Sequence, residues 1–258
     1  MKKASIILNV LLFVTMITIN ALANALPING FTTGELSDIY PNLFVPAGVT
    51  FSIWGLIYLL LFVFIITQIV AAFSKRASKY LLSPLATWAF AYTCILNSLW
   101  IITWHYKLVF FSVIVMILML LSLIYLVKRI DSEKIDDFWA RFSIKLPFSI
   151  YLGWISVATI ANITALLVHI GWGGFGVTEN IWAIIMIGAA TSLSILMMLK
   201  RADIFYALVV IWALYGIIIK REASDPIIVE IIYTAWISIA LQAGIILYIL
   251  TRRKAIEQ

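Results

Sequence analysis

Eight apolar segments constrain the fold of this chain more than any other feature of its sequence. Each is close to 20 residues long, about the length an α-helix needs to cross roughly 30 Å of hydrocarbon. The segments cover about residues 5–25, 48–72, 82–104, 108–127, 146–169, 181–199, 204–219 and 229–250. Because lipid offers the backbone no hydrogen-bond partners, such segments cross as helices. The sequence therefore predicts an all-α integral membrane protein with an eight-helix transmembrane bundle.

The composition agrees with a membrane protein and argues against a soluble domain. Of the 258 residues, 64% are hydrophobic and 12% are charged, and the mean hydropathy is +1.09. A soluble globular chain carries about 25% charged residues, which cover its surface in water. The sequence contains one cysteine, Cys94, so we expect no intrachain disulfide and no cysteine-based metal site.

The basic residues predict the orientation in the membrane. With the N-terminus in the cytoplasm, 15 of the 18 Lys and Arg residues fall on the cytoplasmic side, and only Lys107, Lys220 and Arg221 fall outside. The cytoplasmic set is Lys2, Lys3, Lys75, Arg76, Lys79, Lys128, Arg129, Lys134, Arg141, Lys145, Lys200, Arg201, Arg252, Arg253 and Lys254. This bias predicts a multi-pass protein of the cytoplasmic membrane with both termini in the cytoplasm. The net charge of +6 thus reflects topology, and we expect no nucleic-acid partner.

The first apolar segment allows two interpretations. Its basic start, apolar stretch and Ala21-Leu22-Ala23 tripeptide are typical of a cleavable signal peptide. The apolar stretch is long for a signal, however, and Asn9 and Asn20 interrupt it as helix-packing residues do. We therefore expect a retained first helix, whereas cleavage would leave seven helices and an exterior N-terminus.

Ionisable residues are missing from the centres of all eight segments. Such residues mark proton relays and ion paths in membrane proteins, so their absence argues against a pump or an ion-coupled carrier. We also find no Ser/His/Asp or Cys/His constellation for nucleophilic catalysis. We therefore expect no enzyme activity, no metal and no cofactor.

Three of the predicted helices carry aromatic, amide and small residues on one face, at about 100° of rotation per residue. These stripes are Phe51, Trp54, Tyr58, Leu61 and Ile65 in the second segment, Thr93, Asn97, Trp100 and Trp104 in the third, and Tyr151, Trp154, Ala158, Ala161, Asn162 and Ala165 in the fifth. Two interpretations compete. Small and amide residues allow helices to pack closely and to bond to each other. Aromatic walls with a few polar groups equally hold a large apolar ligand.

Parts of these stripes follow the motifs of a known family. The fifth segment reads Tyr151-Leu152-x-Trp154-x-x-x-Ala158-Thr159-x-x-Asn162, the third contains Leu96-Asn97-x-x-Trp100, and the second has Phe44-x-Pro46 before Trp54 and Tyr58. The chain resembles the tryptophan-rich sensory protein/translocator protein (TspO/MBR) family of five-helix membrane proteins. The resemblance lies in these stretches, in their order along the chain and in their placement on helices. Ile150 and Ala47 stand where the family pattern has proline.

The resemblance implies both an architecture and a site. It covers about residues 1–170, a TspO-like five-helix unit, and leaves three additional helices in residues 171–258. The implied ligand-binding residues are Trp54, Tyr58, Asn97, Trp100, Tyr151, Trp154, Ala158 and Asn162. The loop of residues 26–47 would cover them as a lid. The implied function is to bind, and to translocate or sense, an apolar small molecule such as a porphyrin, another tetrapyrrole or a sterol-like lipid. Enzymatic modification of a bound tetrapyrrole stays open.

A structural or regulatory membrane protein remains the alternative, with Trp and Asn faces that pack helices or a partner subunit and no small ligand. The expected partners are an apolar ligand and membrane lipid. The resemblance also allows a homo-oligomer, although no stripe singles out a dimer face. His105 and His169 fall at the outer ends of the third and fifth segments, where ligation of haem iron and plain interfacial solvation are both open.

Overall fold

The structure, a computed structural model, describes residues 2–133 and 135–256, with side chains for residues 3–133 and 135–252. Eight helices in this part of the chain are long and apolar enough to cross a membrane, which confirms the predicted eight-helix bundle. Lys134 and the side chains of Lys2, Arg253 and Lys254, all counted in the charge bias, lie outside what is described.

Ten α-helices follow one another along the described residues. They are α1 (Lys2–Ala25), α2 (Thr33–Asp38), α3 (Ile53–Phe73), α4 (Pro84–His105), α5 (Val109–Ser132), α6 (Phe138–Ala140), α7 (Leu146–His169), α8 (Glu179–Arg201), α9 (Ile204–Glu222) and α10 (Val229–Ile256). The short α2 lies in the loop predicted to be a lid. A π-helical turn, Arg141–Lys145, joins α6 to α7 just before Pro147, which has no N–H to donate to the helix ladder.

Helix α9 is longer than the apolar segment that predicts it. The sequence predicts a helix over about residues 204–219, whereas α9 has 19 residues and a length of about 28 Å. At its start, the Asp203 carboxylate accepts a hydrogen bond from the Tyr206 N–H. At its end, Lys220 and Arg221 continue the helix because cations are stabilised at the negative end of the helix dipole.

Five helices form a closed ring. Helix α1 packs on α4, α4 on α5, α5 on α7, α7 on α3, and α3 packs back on α1. Inside the ring, Phe64, Phe90 and Phe148 meet edge to face, with ring centroids 4.8 to 5.9 Å apart. Asn9 is buried and donates to the Thr87 carbonyl oxygen at 3.0 Å, which joins α1 to α4.

The remaining long helices, α8, α9 and α10, pack on one another, and α9 joins them to the ring by packing along α7. The two backbones approach closely at Gly153. A Cβ atom there would lie 3.1 Å from Val209 Cβ and 3.2 Å from the Tyr206 carbonyl oxygen. Nearer the start of α7, the Ser149 hydroxyl donates a hydrogen bond to Asp203. The three last helices are therefore packed tightly against the ring.

The two ends of the bundle differ in charge. We call the end with α2 and His169 the lid end, and the opposite end, which holds most of the described Lys and Arg residues, the basic end. At the basic end, Lys79 Nζ donates to Asp137 Oδ2 at 2.6 Å. This bond, together with one from the Ala140 N–H, lowers the pKa of Asp137 to about 2. The pair ties the loop after α3 to the start of α6.

Candidate functional site

The loop between α1 and α3 folds over the lid end of the ring, and we call its residues 26–47 the lid. Helix α2, in the middle of the lid, begins with a capping box. Thr32 Oγ1 accepts a hydrogen bond from the Glu35 N–H, and the Glu35 carboxylate accepts one from the Thr32 N–H at 2.7 Å. These bonds to Thr32 hold the pKa of Glu35 below its usual value. The capping box stabilises a helix of only six residues.

His105, the last residue of α4, fastens the lid to the ring. It is fully buried, with Nδ1 3.1 Å from the Ile28 carbonyl oxygen and Nε2 3.1 Å from Thr33 Oγ1. Because a carbonyl oxygen only accepts, Nδ1 carries the proton and Nε2 accepts from the Thr33 hydroxyl. Interfacial solvation is therefore wrong for His105. His169 is exposed and meets the Tyr40 ring edge-on at 5.7 Å.

The segment that returns from the lid to α3 lies directly on α9. The Ala47 N–H donates to the Gly216 carbonyl oxygen at 2.9 Å, and Trp212 Nε1 donates to the Thr50 carbonyl oxygen at 3.0 Å. A Cβ atom on Gly216 would lie 1.9 Å from Thr50 Oγ1, so only glycine allows this contact. One turn further on, Lys220 forms an ion pair with Asp38. Helix α9 thus holds the lid from the side opposite His105.

A cavity lies beneath the lid, inside the lid end of the ring. The lining residues are Ser37, Val45 and Pro46 of the lid, Phe51 and Trp54 at the start of α3, Trp100 and Trp104 of α4, and Trp154, Val157, Ala158, Ala161, Asn162 and Ala165 of α7. Its volume is about 40 Å³, measured as the space open to the centre of a water-sized sphere. One water needs about 10–15 Å³ on this measure, so the cavity has room for a few waters.

Aromatic rings form a continuous wall from the lid to the middle of the ring. Tyr40 packs on Trp104 at 5.7 Å between centroids, and Trp104 stacks on Trp100 at 6.2 Å. Trp100 contacts Trp54 at 5.9 Å, and Trp54 meets Trp154 edge to face at 6.2 Å. Opposite this wall, the alanines of α7 leave the open space. The surface exposed to the cavity is almost wholly apolar.

Two indole N–H groups at this cavity have no hydrogen-bond partner among the described residues. Trp54 Nε1 and Trp154 Nε1 are both buried and unpaired, although both side chains line the cavity. The other two indoles are satisfied, because Trp100 Nε1 donates to Asn162 and Trp104 Nε1 donates to the Thr33 carbonyl oxygen. Leaving a buried donor unpaired costs about 1–3 kcal/mol. An acceptor atom that reaches either N–H would remove this cost.

Asn97 lies below the cavity and joins three helices of the ring. Its Oδ1 accepts from Asn20 Nδ2 of α1 at 2.7 Å, and its Nδ2 donates to the Tyr151 hydroxyl of α7 at 2.9 Å. That hydroxyl donates in turn to Met119 Sδ of α5 at 3.4 Å. Asn20 therefore packs helices, as its place in the first apolar segment predicts.

Asn162 joins α7 to α4 and α5. Its Oδ1 accepts from Trp100 Nε1 of α4, and its Nδ2 donates to Ser112 Oγ of α5, both at 2.9 Å. The side chain also borders the cavity. Both oxygen and nitrogen of each amide, Asn97 and Asn162, are therefore bonded to protein groups.

The structure divides the eight residues that the resemblance implies into two groups. Trp54, Trp100, Trp154, Ala158 and Asn162 line the cavity. Tyr58, Asn97 and Tyr151 lie beneath it, where Tyr58 stacks on Trp54 at 5.5 Å and Tyr151 meets the same ring edge-on at 6.0 Å. A role in ligand binding stays a prediction for all eight.

The cavity also includes residues that the motifs do not name. Four of them, Phe51, Trp104, Ala161 and Ala165, belong to the helical stripes, so the period of the helix already marks them. Of the lid residues, Pro46 belongs to the motif Phe44-x-Pro46, whereas Ser37 and Val45 have no signal, because a loop has no regular period. Asn20 bonds to the Asn97 amide, and Ser112 bonds to the Asn162 amide. Both residues lie on helices that carry no aromatic stripe.

These features define a class of protein: a multi-pass membrane protein with a lid-covered, tryptophan-lined cavity inside a ring of five helices. Within that class, a sequence model of the TSPO-like protein family matches residues 6–248. The chain belongs to this family, and the match extends over the last three helices as well as the ring. Comparisons with curated proteins and with solved structures found no match.

Proposed function

We propose that this chain binds an apolar small molecule in the cavity beneath the lid, with a hydrogen-bond acceptor of the ligand beside Trp54 and Trp154. The observation that carries the proposal is that two tryptophans lining an apolar cavity each have a buried, unpaired indole N–H. Sites for small molecules combine apolar, aromatic walls with a few placed polar groups. A porphyrin carries carboxylates and a sterol carries a hydroxyl, and both groups accept hydrogen bonds.

Binding of a ligand of that size requires the lid to open. Pockets that enclose drug-sized ligands have volumes of about 300–1,000 Å³, whereas this cavity has about 40 Å³. The lid is held by a few polar contacts, those of His105 on one side and of α9 on the other. Release of these contacts would admit the ligand, and the same movement would serve translocation or sensing.

Fluorescence titration tests the proposal. The protein in lipid nanodiscs would be titrated with protoporphyrin IX, read by tryptophan quenching, and with a fluorescent sterol, read by energy transfer from tryptophan. Trp54→Phe and Trp154→Phe keep an aromatic ring and remove the N–H, so we expect each to weaken binding about fivefold, the equivalent of one hydrogen bond. Each replacement also removes part of a buried ring, so we expect Tm to fall as well, and affinities are compared at a temperature where both variants are fully folded.

Trp236→Phe is the matched control for this titration. Trp236 lies on α10, 45% exposed and away from the cavity, so its replacement should leave affinity unchanged. The proposal fails if neither probe gives saturable binding to the wild type. It fails equally if Trp54→Phe and Trp154→Phe bind as tightly as Trp236→Phe.

The bonds of Asn97 and Asn162 support a second candidate function. Both amides connect helices of the ring, as in a structural or regulatory protein whose polar faces hold helices together. Asn162→Ala separates the two functions, because it leaves Trp100 Nε1 and Ser112 without their partner. A lower Tm with unchanged ligand affinity assigns Asn162 to packing, whereas a weaker affinity at an unchanged Tm assigns it to the ligand.

We also propose that the protein resides in the cytoplasmic membrane with its basic end in the cytoplasm, which places both termini there. The positive-inside bias supports this orientation. The one native cysteine, Cys94, is buried, so single cysteines can be introduced and labelled without background. In intact cells, a membrane-impermeant maleimide should label Phe175→Cys at the lid end and spare Ser78→Cys at the basic end. The reverse labelling pattern would show that the protein has the opposite orientation in the membrane.

A further inference from the structure

A second cavity lies at the lid end, outside the ring. It opens between the end of α7, the start of α8, residues 41–44 of the lid and the glycine-rich turn 171–177. Its volume is about 270 Å³ on the measure used above, several times that of the cavity beneath the lid. The two cavities use different residues of α7, since Thr164 and Val168 border this one and Asn162 and Ala165 border the other. We call the second cavity the outer groove.

The glycine-rich turn is shaped to form one wall of the outer groove. Gly174 has a φ of +61°, and a Cβ atom there would lie 3.1 Å from Trp182 Nε1. The same indole donates to the Gly174 carbonyl oxygen at 3.0 Å, which fixes the turn against α8. Trp172 then packs on Trp182 with ring centroids 4.9 Å apart. Two indoles are thus held together at the edge of the groove.

The polarity of the outer groove changes with depth. Glu179 stands at its rim, at the start of α8, and is exposed, with no hydrogen bond or ion pair from its carboxylate to a described residue. Met186 lies seven residues further along the helix, about 10 Å deeper. Between them the lining is mainly apolar and aromatic. A site that is charged at the rim and apolar below matches an amphiphile.

The side chains of Asn42 and Thr164, which also line the groove, are already bonded to the protein. Asn42 Oδ1 accepts from the N–H groups of Phe44 and Val45, at 3.1 and 3.0 Å, and Thr164 Oγ1 donates to the Ile160 carbonyl oxygen at 2.9 Å. The Glu179 carboxylate is the one charged group among the described lining residues, and no described residue pairs with it. Its negative charge pairs with a cation, and the faces of the neighbouring indole rings attract cations as well.

We propose that the outer groove binds a membrane amphiphile whose head is an ammonium group. The ammonium pairs with Glu179 beside the indoles of Trp172 and Trp182, and the hydrocarbon chain lies along the groove toward Met186. The amphiphile comes from the bilayer, because the groove extends along α8, a helix that crosses the membrane, as far as Met186, whose side chain is partly exposed. This site and its ligand are separate from those of the cavity beneath the lid.

The position of Glu179 has a simpler explanation that the test must exclude. A carboxylate in the first turn of a helix is stabilised by the helix dipole, whatever lies beside it. Glu230 occupies the same place at the start of α10, is exposed, and borders no part of the groove. Glu230→Gln removes the same charge from the same end of the bundle and is the matched control for Glu179→Gln.

Photo-crosslinking in nanodiscs tests the proposal. The probes are a long-chain primary amine and the corresponding alcohol, each with a diazirine in the chain, and labelled peptides are identified by mass spectrometry. We expect the amine to label residues 164–186 on the order of fivefold more than the alcohol does, the equivalent of about 1 kcal/mol for a partly exposed ion pair and cation–π contact. Glu179→Gln should remove this preference, and Glu230→Gln should keep it.

Three outcomes would overturn the proposal. Equal labelling by amine and alcohol in the wild type shows that the groove does not select a cation. A preference that persists in Glu179→Gln shows that another group selects it. If a short water-soluble amine such as butylamine competes as well as the long-chain amine at equal concentration, the ligand comes from solution and not from the bilayer.

Discussion

Single glycines decide how closely the last three helices approach the rest of the molecule. At Gly216, a Cβ atom would lie 2.9 Å from Thr50 Cβ and 3.0 Å from Pro46 Cβ, in addition to the overlap with Thr50 Oγ1. At Gly188, in the middle of α8, a Cβ atom would meet nothing within 4 Å. The two positions have the same residue type and helical backbone, and only their surroundings differ.

Gly216→Ala should therefore destabilise the protein by about 1–3 kcal/mol, because α9 and the lid segment must move apart. Gly188→Ala should stabilise it by about 0.5–1 kcal/mol, because alanine loses less backbone entropy in a helix. Unfolding in detergent, followed by circular dichroism, measures both changes. If the two substitutions have the same effect, the close contact between α9 and Thr50 is absent in solution.

The amide of Asn97 provides a second prediction at the residue scale. Asn97→Ala leaves Asn20 Nδ2 with one partner, the Met16 carbonyl oxygen, and removes the donor to the Tyr151 hydroxyl. Buried hydrogen bonds between membrane helices contribute about 0.6 to 2 kcal/mol each. We expect a loss of about 1–3 kcal/mol in the free energy of unfolding. A double-mutant cycle with Asn20→Ala measures the coupling, and no coupling would contradict the bond.

At the scale of elements, α2 depends strongly on its cap, because a helix of six residues makes few backbone hydrogen bonds of its own. Thr32→Ala removes the side-chain cap and should cost the helix about 1 kcal/mol. The lid then opens more often, so amides of residues 33–38 should exchange hydrogen about fivefold faster while Tm is unchanged. Thr234→Ala on α10, whose hydroxyl bonds within its own helix, is the control.

The same capping box predicts a pH dependence of the lid. Since its bonds to Thr32 lower the pKa of Glu35 in the folded lid, they stabilise α2 above the unfolded pKa of about 4.3. This stabilisation disappears as pH falls through the lower, folded pKa. After correction for intrinsic exchange, amides 33–38 of the wild type should lose protection in acid, and those of Glu35→Gln should not. Equal pH profiles for the two proteins would contradict the capping box.

At the scale of the whole molecule, the ring depends on the three helices that follow it. Residues 1–170 contain every helix of the ring, but α9 covers α7 at Gly153 and holds the lid at Ala47. Without α9, the backbone N–H of Ala47 and an apolar face of α7 lose their partners. The division into residues 1–170 and 171–258 is therefore a prediction about sequence resemblance and not about independent folding.

We expect residues 1–170 expressed alone to aggregate or to unfold at a much lower temperature than the full chain. Co-expression with residues 171–258 should restore a monodisperse complex, since helices that insert separately can still associate in the membrane. Size-exclusion chromatography and thermal unfolding measure both outcomes. A monodisperse fragment 1–170 with the Tm of the full chain would show that the ring is stable without α9.

The sequence by itself determined the eight helices, because a crossing length of apolar residues is a local property that bilayer thickness imposes. It also determined which faces of α3, α4 and α7 turn inward, because helical period sorts Trp54, Trp100, Trp154 and Asn162 onto stripes. The motifs of the resemblance led to the family that the match over residues 6–248 shows.

Only the tertiary structure decided what those faces do. It paired Asn97 with Asn20 and Asn162 with Ser112, and it left the indole N–H groups of Trp54 and Trp154 unpaired. It also placed the lid between His105 and α9. It also formed the outer groove from three segments that carry no common pattern. These contacts join residues far apart in the chain through loops without a period. Their geometry depends on the packing of the whole bundle, which no local pattern encodes.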